Sequence, residues 1–206
     1  MDSTQQRWWI PFCGRPNAGK SSLITALSGK KLRVGRSPGT TRKIATIPVF
    51  RDVSFMDLPG FGRVSRRSRR FAEDLKTKLI RELETKSANF LCSVLVVDLN
   101  TFPRTYKSLE RKGIIPLDIE FASFLLELTS NHESQGIVIV AANKIDRLNS
   151  TILTKNLAML TDKLPPGVEI IPISCKTKIG IRKIRNRLKN VVIRKMGPQY
   201  QQFLSR

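Results

Sequence analysis

Eight consecutive residues constrain this chain more than any other part of it. Gly14-Arg15-Pro16-Asn17-Ala18-Gly19-Lys20-Ser21 fits the pattern G-x-x-x-x-G-K-[ST]. A candidate strand precedes it, Trp8 to Cys13, weakened by Pro11, and a candidate helix follows, Ser21 to Leu27, with Gly29 as its stop. Strand, glycine-rich turn and helix in that order make a phosphate loop. The glycines let backbone N–H groups close around phosphate oxygens, and the helix turns its positive end toward them. Lys20 is expected to reach the β- and γ-phosphates and the Ser21 hydroxyl to bind magnesium, while Ser22 continues the helix. A chance glycine-rich turn would not be flanked in this way.

The rest of the chain alternates in a manner that suits such a loop. Ile44 to Phe50 and Val53 to Met56 read as a strand pair, and Phe71 to Lys86 reads as a helix with Phe71, Leu75, Leu79 and Leu83 on one face. Strands are expected at Leu91 to Val97, Ile137 to Ala141 and Glu169 to Ile173. Helices are expected at Ile119 to Leu128, capped by Asp118, at Thr151 to Lys163 and at Ile179 to Lys195. Asn100 to Pro116, with Pro103, Gly113 and Pro116, reads as a long connection, and Lys30 to Lys43 as a basic loop. The expected fold is α/β: a six-stranded, mostly parallel sheet with helices on both faces.

Two further motifs follow strands in the right order. Asp57-Leu58-Pro59-Gly60 comes one strand pair after the phosphate loop. An Asp there can hold magnesium through water, and the Gly60 N–H can sense a γ-phosphate. Asn143-Lys144-Ile145-Asp146 follows the strand at Ile137 to Ala141 and selects the base. The Asp146 carboxylate can accept from guanine N1–H and the N2 amine together. Adenine has no such amine and an unprotonated N1, so a site of this kind rejects it strongly. Ser174-Cys175-Lys176, at the end of the last strand, is placed to support the base, with a backbone N–H to guanine O6 as its expected contact.

These segments together resemble the translation-factor-related GTPases. Asn17, Pro38-Gly39-Thr40-Thr41-Arg42 and Asp57-Leu58-Pro59-Gly60-Phe61-Gly62 narrow the resemblance to the Era, EngA and EngB relatives, and the last string is most similar to the EngB (YihA) family. The likeness runs from about Trp8 to Met196. It implies a Ras-like P-loop GTPase domain over 1–206, with a core at about 8–196 and short extensions. It also implies GTP hydrolysis, magnesium, a role in assembly of the large ribosomal subunit, and the family's association with cell division and septation. By position Thr41 is the switch threonine that closes on magnesium and the γ-phosphate, with Thr40 its neighbour. Lys20, Thr41, Gly60 and Asn17 form the expected catalytic set; Ser21, Thr41 and Asp57 form the expected metal set. Phe61 stands where Ras-type enzymes place a water-orienting glutamine, so slow intrinsic turnover is expected. Asn17 matches an asparagine that coordinates potassium in some relatives; bracing of the loop is the other reading. The chain departs from the family in Asn143, often Thr there, and in Cys175, where a smaller residue is usual.

Composition bears on partners. Lys and Arg number 37 against 16 Asp and Glu, a balance of +21. A surface this basic attracts polyanions and binds nucleic acid in a salt-dependent way. Arg63, Arg66, Arg67, Arg69 and Arg70 cluster after the second switch motif, and Arg182, Lys183, Arg185, Arg187 and Lys189 lie opposite the apolar set of the last helix. Large-subunit or ribosomal RNA contact is therefore expected, through phosphates and shape rather than bases. The alternative is a basic RNA-binding module that uses GTP structurally, with negligible turnover. The third reading, the G domain of a membrane transporter or tRNA-modifying enzyme, would need a spanning segment or second domain. The three cysteines are spread and His132 is the sole histidine, which leaves little basis for a disulfide framework, a histidine metal site or a catalytic triad. The N-terminus lacks the order of a secretion signal, and a cytoplasmic monomer without membrane contact is expected.

Overall fold

A computed structural model describes residues 7–30, 44–60, 69–130 and 137–205, with side chains in the helix opening at Arg69 described from Lys76 onward. Strands β1 (Trp8–Cys13), β2 (Ala45–Phe50), β3 (Val53–Asp57), β4 (Ser93–Asp98), β5 (Val138–Asn143) and β6 (Val168–Pro172) form one sheet in the order β2-β3-β1-β4-β5-β6. Only β2 is antiparallel, paired with β3 through the turn at Arg51 and Asp52. The expected six-stranded, mostly parallel sheet is what the chain forms. Pro11 is accommodated because β1 meets the β4 side at an isolated Trp9↔Phe90 bridge and then from Phe12↔Val94 onward. The missing N–H falls in the gap between them.

Among the described residues the helices are α1 (Lys20–Ser28), α2 (Arg69–Lys86), α3 (Phe102–Glu110), α4 (Leu117–Ser130), α5 (Ser150–Lys163) and α6 (Ile181–Met196). Parallel strands buried on both faces carry near-continuous apolar side chains, and alternate ones enter different layers. Ile10, Phe12, Val94, Val96 and Ile139 pack with α1 and α6 through Leu23, Ile24, Ile184 and Leu188. Trp9, Leu95, Val97, Val138 and Val140 pack with Leu79 and Leu83 of α2, Phe102 of α3, Phe121 and Leu125 of α4 and Leu160 of α5. Tyr200 and Phe203, past α6, are buried in the first layer.

Two sequence expectations are corrected. The connection at 100–116 contains α3, whose Pro103 lies in the first turn, where a missing N–H costs nothing. Asp118 does not cap α4. The helix opens at Leu117, with the Pro116 carbonyl accepting from Ile119 and Glu120 N–H, and Asp118 lies inside the first turn with its side chain buried.

Candidate nucleotide site

The phosphate loop leaves β1 through Gly14, whose φ of 142° and close approach exclude a side chain. A Cβ there would lie 2.3 Å from the Val96 carbonyl oxygen. Gly19, at φ 107°, would place a Cβ 2.1 Å from Asn143 Nδ2. Between them Asn17 adopts a left-handed φ of 63°, which Asn tolerates better than most residues. No side chain caps α1 at Gly19, so its first-turn N–H groups stay open to an anion.

Lys20 is 6% exposed, and its Nζ donates to the Gly14 and Arg15 carbonyls at 3.0 and 3.1 Å. Burial pulls its pKa below the ordinary lysine value, while Asp57, then Cys13 and Asp118, resist that fall. Ser21 Oγ donates to Asp57 Oδ2 at 2.6 Å. Burial raises the Asp57 pKa, against the Ser21 bond and the Lys20 charge. Asp57 Oδ1 is buried and has no hydrogen-bond partner. A hydroxyl bonded to a carboxylate that keeps one orphaned oxygen suits a magnesium ion, which takes few protein oxygens and completes its shell with water and phosphate. Leu58 and Pro59 are buried and carry the chain to Gly60. A Cβ on Gly60 would meet Pro16 N at 2.6 Å and Pro16 Cα at 2.7 Å, so this backbone abuts the phosphate loop directly.

The base-selecting segment joins the same pocket through one side chain. Asn143 Nδ2 donates to the Ala18 carbonyl at 2.8 Å, and its Oδ1 accepts from the Cys175 N–H at 3.2 Å. It ties the phosphate loop to the 174–176 loop. Lys144 is left-handed (φ 69°) and pairs with Asp98 Oδ2 at 2.6 Å. Asp146, in the turn Ile145–Arg147, accepts at Oδ1 from Ser174 Oγ at 2.6 Å, and Thr177 N–H donates to that Oγ at 3.0 Å. Ser174 thus acts on Asp146 through its hydroxyl. The Cys175 N–H, in the segment expected to reach the base, is engaged by Asn143. Lys176 is exposed. Gly39, Thr40, Thr41, Phe61 and Arg63 to Arg67 lie outside the described residues, as does His132; Arg69 and Arg70 open α2.

Two participants escaped the sequence reading. Asp98, at the C-terminal end of β4, holds Lys144; an acidic residue at the carboxyl end of a parallel strand is a signal that was available. Asp118 lies 3.7 Å from Arg15 Nη1, with Oδ1 buried and unbonded, and no local pattern marks that pairing. Burial pushes the Asp118 pKa up to about 6 from 3.8, against the Arg15 charge. A raised folded-state pKa means that the folded form holds the proton more tightly. The contribution of Asp118 to stability is then complete below the unfolded value and lost as pH rises through about 6. Asp118→Asn should therefore melt increasingly above the wild type as pH rises from about 4 to 7. Thermal melts of nucleotide-free protein across that range check this, and a pH-independent difference would count against it.

Three comparisons bear on this geometry. The family described as "50S ribosome-binding GTPase" matches residues 10–144. A probable GTP-binding protein EngB from Pyrococcus horikoshii is 37% identical over 193 residues, covering 91% of this chain and 85% of that protein. The corresponding protein of Methanopyrus kandleri is 35% identical over 207 residues, covering 94% and 97%. The crystal structure of a probable GTP-binding protein engB superposes with a TM-score of 0.76 at 35% identity, over 90% of this chain and 99% of the other.

Proposed function

Because the chain belongs to the EngB family of GTP-binding proteins, we propose that it is a GTP-hydrolysing switch that acts on the large ribosomal subunit or its precursor. One observation carries the nucleotide part: Asn143 joins the phosphate loop and the Asp146–Ser174 pair into a single pocket. In this reading Gly14 to Ser22 cradle the phosphates and Lys20 exchanges its carbonyl partners for β- and γ-phosphate oxygens. Ser21, Asp57 and Thr41 hold magnesium, which neutralises charge on the phosphates. Gly60 presents its N–H to the γ-phosphate, and Thr40 and Gly39 accompany Thr41 on the switch. Asn143 to Asp146 and Ser174 to Lys176 select guanine. The whole chain serves as one G domain, with short extensions beyond about 8–196, and works as a cytoplasmic monomer. No helix among the described residues is long and apolar enough to cross a membrane.

The ribosomal part draws support from the family description and the +21 charge balance. A link to cell division would follow from that role. Co-sedimentation with large subunits tests it: retention should be stronger with a non-hydrolysable GTP analogue than with GDP. Retention that ignores the nucleotide would overturn the switch. Phe61, in the glutamine position, favours the second reading, a basic RNA-binding module with negligible turnover. Phosphate release with and without subunits separates the two.

Hydrolysis also needs a positive charge near the β–γ bridge. Potassium bound through Asn17 would supply it. The GTPase rate should be higher in potassium than in sodium, and Asn17→Gly, which keeps the left-handed backbone but lacks the amide, should abolish the difference. Equal rates for the wild type in both salts would remove the idea.

A further inference from the structure

Carboxylates are unevenly distributed along the chain. Residues 3–51 contain none, and none follows Glu169. The fold places helices from these two acid-free segments in the same layer. α1 and α6 share one side of the sheet, and Arg185 Nη2 donates to the Ala26 carbonyl of α1 at 2.9 Å. The opposite layer carries Glu82, Glu110, Glu120, Glu127 and Asp162 on α2 to α5. Among the described residues the helices of that layer thus carry no carboxylate, and α6 brings seven cations to it, which composition alone does not reveal.

Ile181, Ile184, Leu188, Val191 and Val192 turn the apolar stripe of α6 into the core. Its flanks are left with Arg182, Lys183, Arg187, Lys189 and Arg194: Lys183 and Arg187 are helix neighbours about 5–6 Å apart, and Arg182 and Lys189, like Arg187 and Arg194, stand two turns apart on the same side. Arg182, Lys183 and Arg194 form no ion pair with a described residue. Arg51 and Lys30 extend the basic surface beyond the helix: Arg51 lies over the Tyr200 ring and Lys30 donates to the Pro48 carbonyl. The two carboxylates at the border are already engaged, Asp52 by the Tyr200 hydroxyl and Glu169 by Arg187.

We propose that the α1–α6 face docks the phosphate backbone of an RNA helix. Within the Proposed function this assigns a surface to the ribosomal partner, and it rests on that reading. Rows of cations suit a phosphate backbone. Tyr200 and Phe203 are buried, which leaves them no ring to stack on a base, so shape and charge are read instead. An anionic membrane fits less well: of the large apolar side chains exposed among the described residues, Ile179 alone adjoins α6, too little for insertion.

The test uses the full chain and two matched charge reversals. Arg182→Glu/Lys183→Glu alters the proposed face, and Arg104→Glu/Lys107→Glu alters exposed cations of α3 in the other layer. Binding to an RNA duplex of about 20 base pairs is followed by fluorescence anisotropy over a range of salt, beside vesicles of phosphatidylglycerol and phosphatidylcholine. The α6 variant should lose at least about tenfold in RNA affinity and about two units of the log–log salt slope, one per lost phosphate contact. The α3 variant should stay within about threefold of the wild type, and both should bind GDP unchanged. Equal losses in the two variants, no loss in the α6 variant, or vesicle binding without RNA binding would each overturn the proposal. If the α6 variant still sediments with large subunits as the wild type does, the surface is wrong and the ribosomal reading stands. If the wild type binds neither the duplex nor subunits, both fall.

Discussion

Asp146→Asn should lower GTP affinity by about a thousandfold or more and should raise affinity for xanthosine triphosphate. In the proposed base site the carboxylate would offer acceptors to both guanine N1–H and the N2 amine. An amide replaces one acceptor with an NH2 group, which would face that amine donor to donor. Xanthine carries a carbonyl oxygen at the same place, and the amide suits it. The structure supplies one bias on how the amide turns. Ser174, fully buried and held by the Thr177 N–H, donates to Asp146 Oδ1, and an amide that keeps this bond would place its oxygen on that side and its NH2 group on the other. Calorimetry with GTP, xanthosine triphosphate and ATP on both proteins measures the switch. Wild-type protein binding ATP as tightly as GTP, or the variant keeping its preference for guanine, would refute the assignment of Asp146.

Loss of Lys20 is the second large effect. Lys20→Ala should weaken GTP binding by roughly 10²- to 10⁴-fold, as expected for two charge-assisted bonds at about 1.5–3 kcal/mol each. The ammonium group is held in place before any nucleotide arrives, by the Gly14 and Arg15 carbonyls. Those carbonyls fit a compact group with three donors. The planar guanidinium of Lys20→Arg does not match them, so that variant should recover only a small part of the loss. Burial lowers the Lys20 pKa, and a triphosphate beside Nζ would act in the opposite direction, together with Asp57. The fold should survive, because α1 is anchored by Leu23, Ile24 and Leu27. Fluorescent GDP and GTP titrations with a parallel thermal melt separate binding from folding. Affinity within about fivefold of the wild type would remove Lys20 from the phosphate site.

The family assignment changes the significance of the basic charge. A phosphate loop needs only a few cations, so a balance of +21 is not explained by nucleotide binding. The RNA-docking face proposed on α6 would account for part of that excess, on the layer that also supports the phosphate loop from behind through Leu23 and Ile24.

Much of the fold was legible in local pattern. Apolar runs bounded by turn residues marked all six strands, and the three motifs followed β1, β3 and β5 as read. The helix α3 was not legible, because Pro103 resembles a breaker until it is known to occupy a first turn. Asp118 preceded an apolar run and looked like a cap; its partner Arg15 is over a hundred positions away, and only the folded chain brings the two together.

By itself the sequence determined which chemical groups are available: a glycine-rich turn before a helix with Lys20 and Ser21 at its start, and the carboxylates of Asp57 and Asp146 after strands. Each group sits in a motif a few residues long, and backbone sterics and helix geometry act over that range. Tertiary structure alone decided which buried polar groups meet, because a hydrogen bond is made only at about 3 Å whatever the separation along the chain. Asn143 meets Ala18 across 125 positions, Ser21 meets Asp57 across 36, and Arg185 meets Ala26 across 159. The joining of the phosphate loop to the base-selecting segment and the packing of α6 against α1 both follow from those contacts.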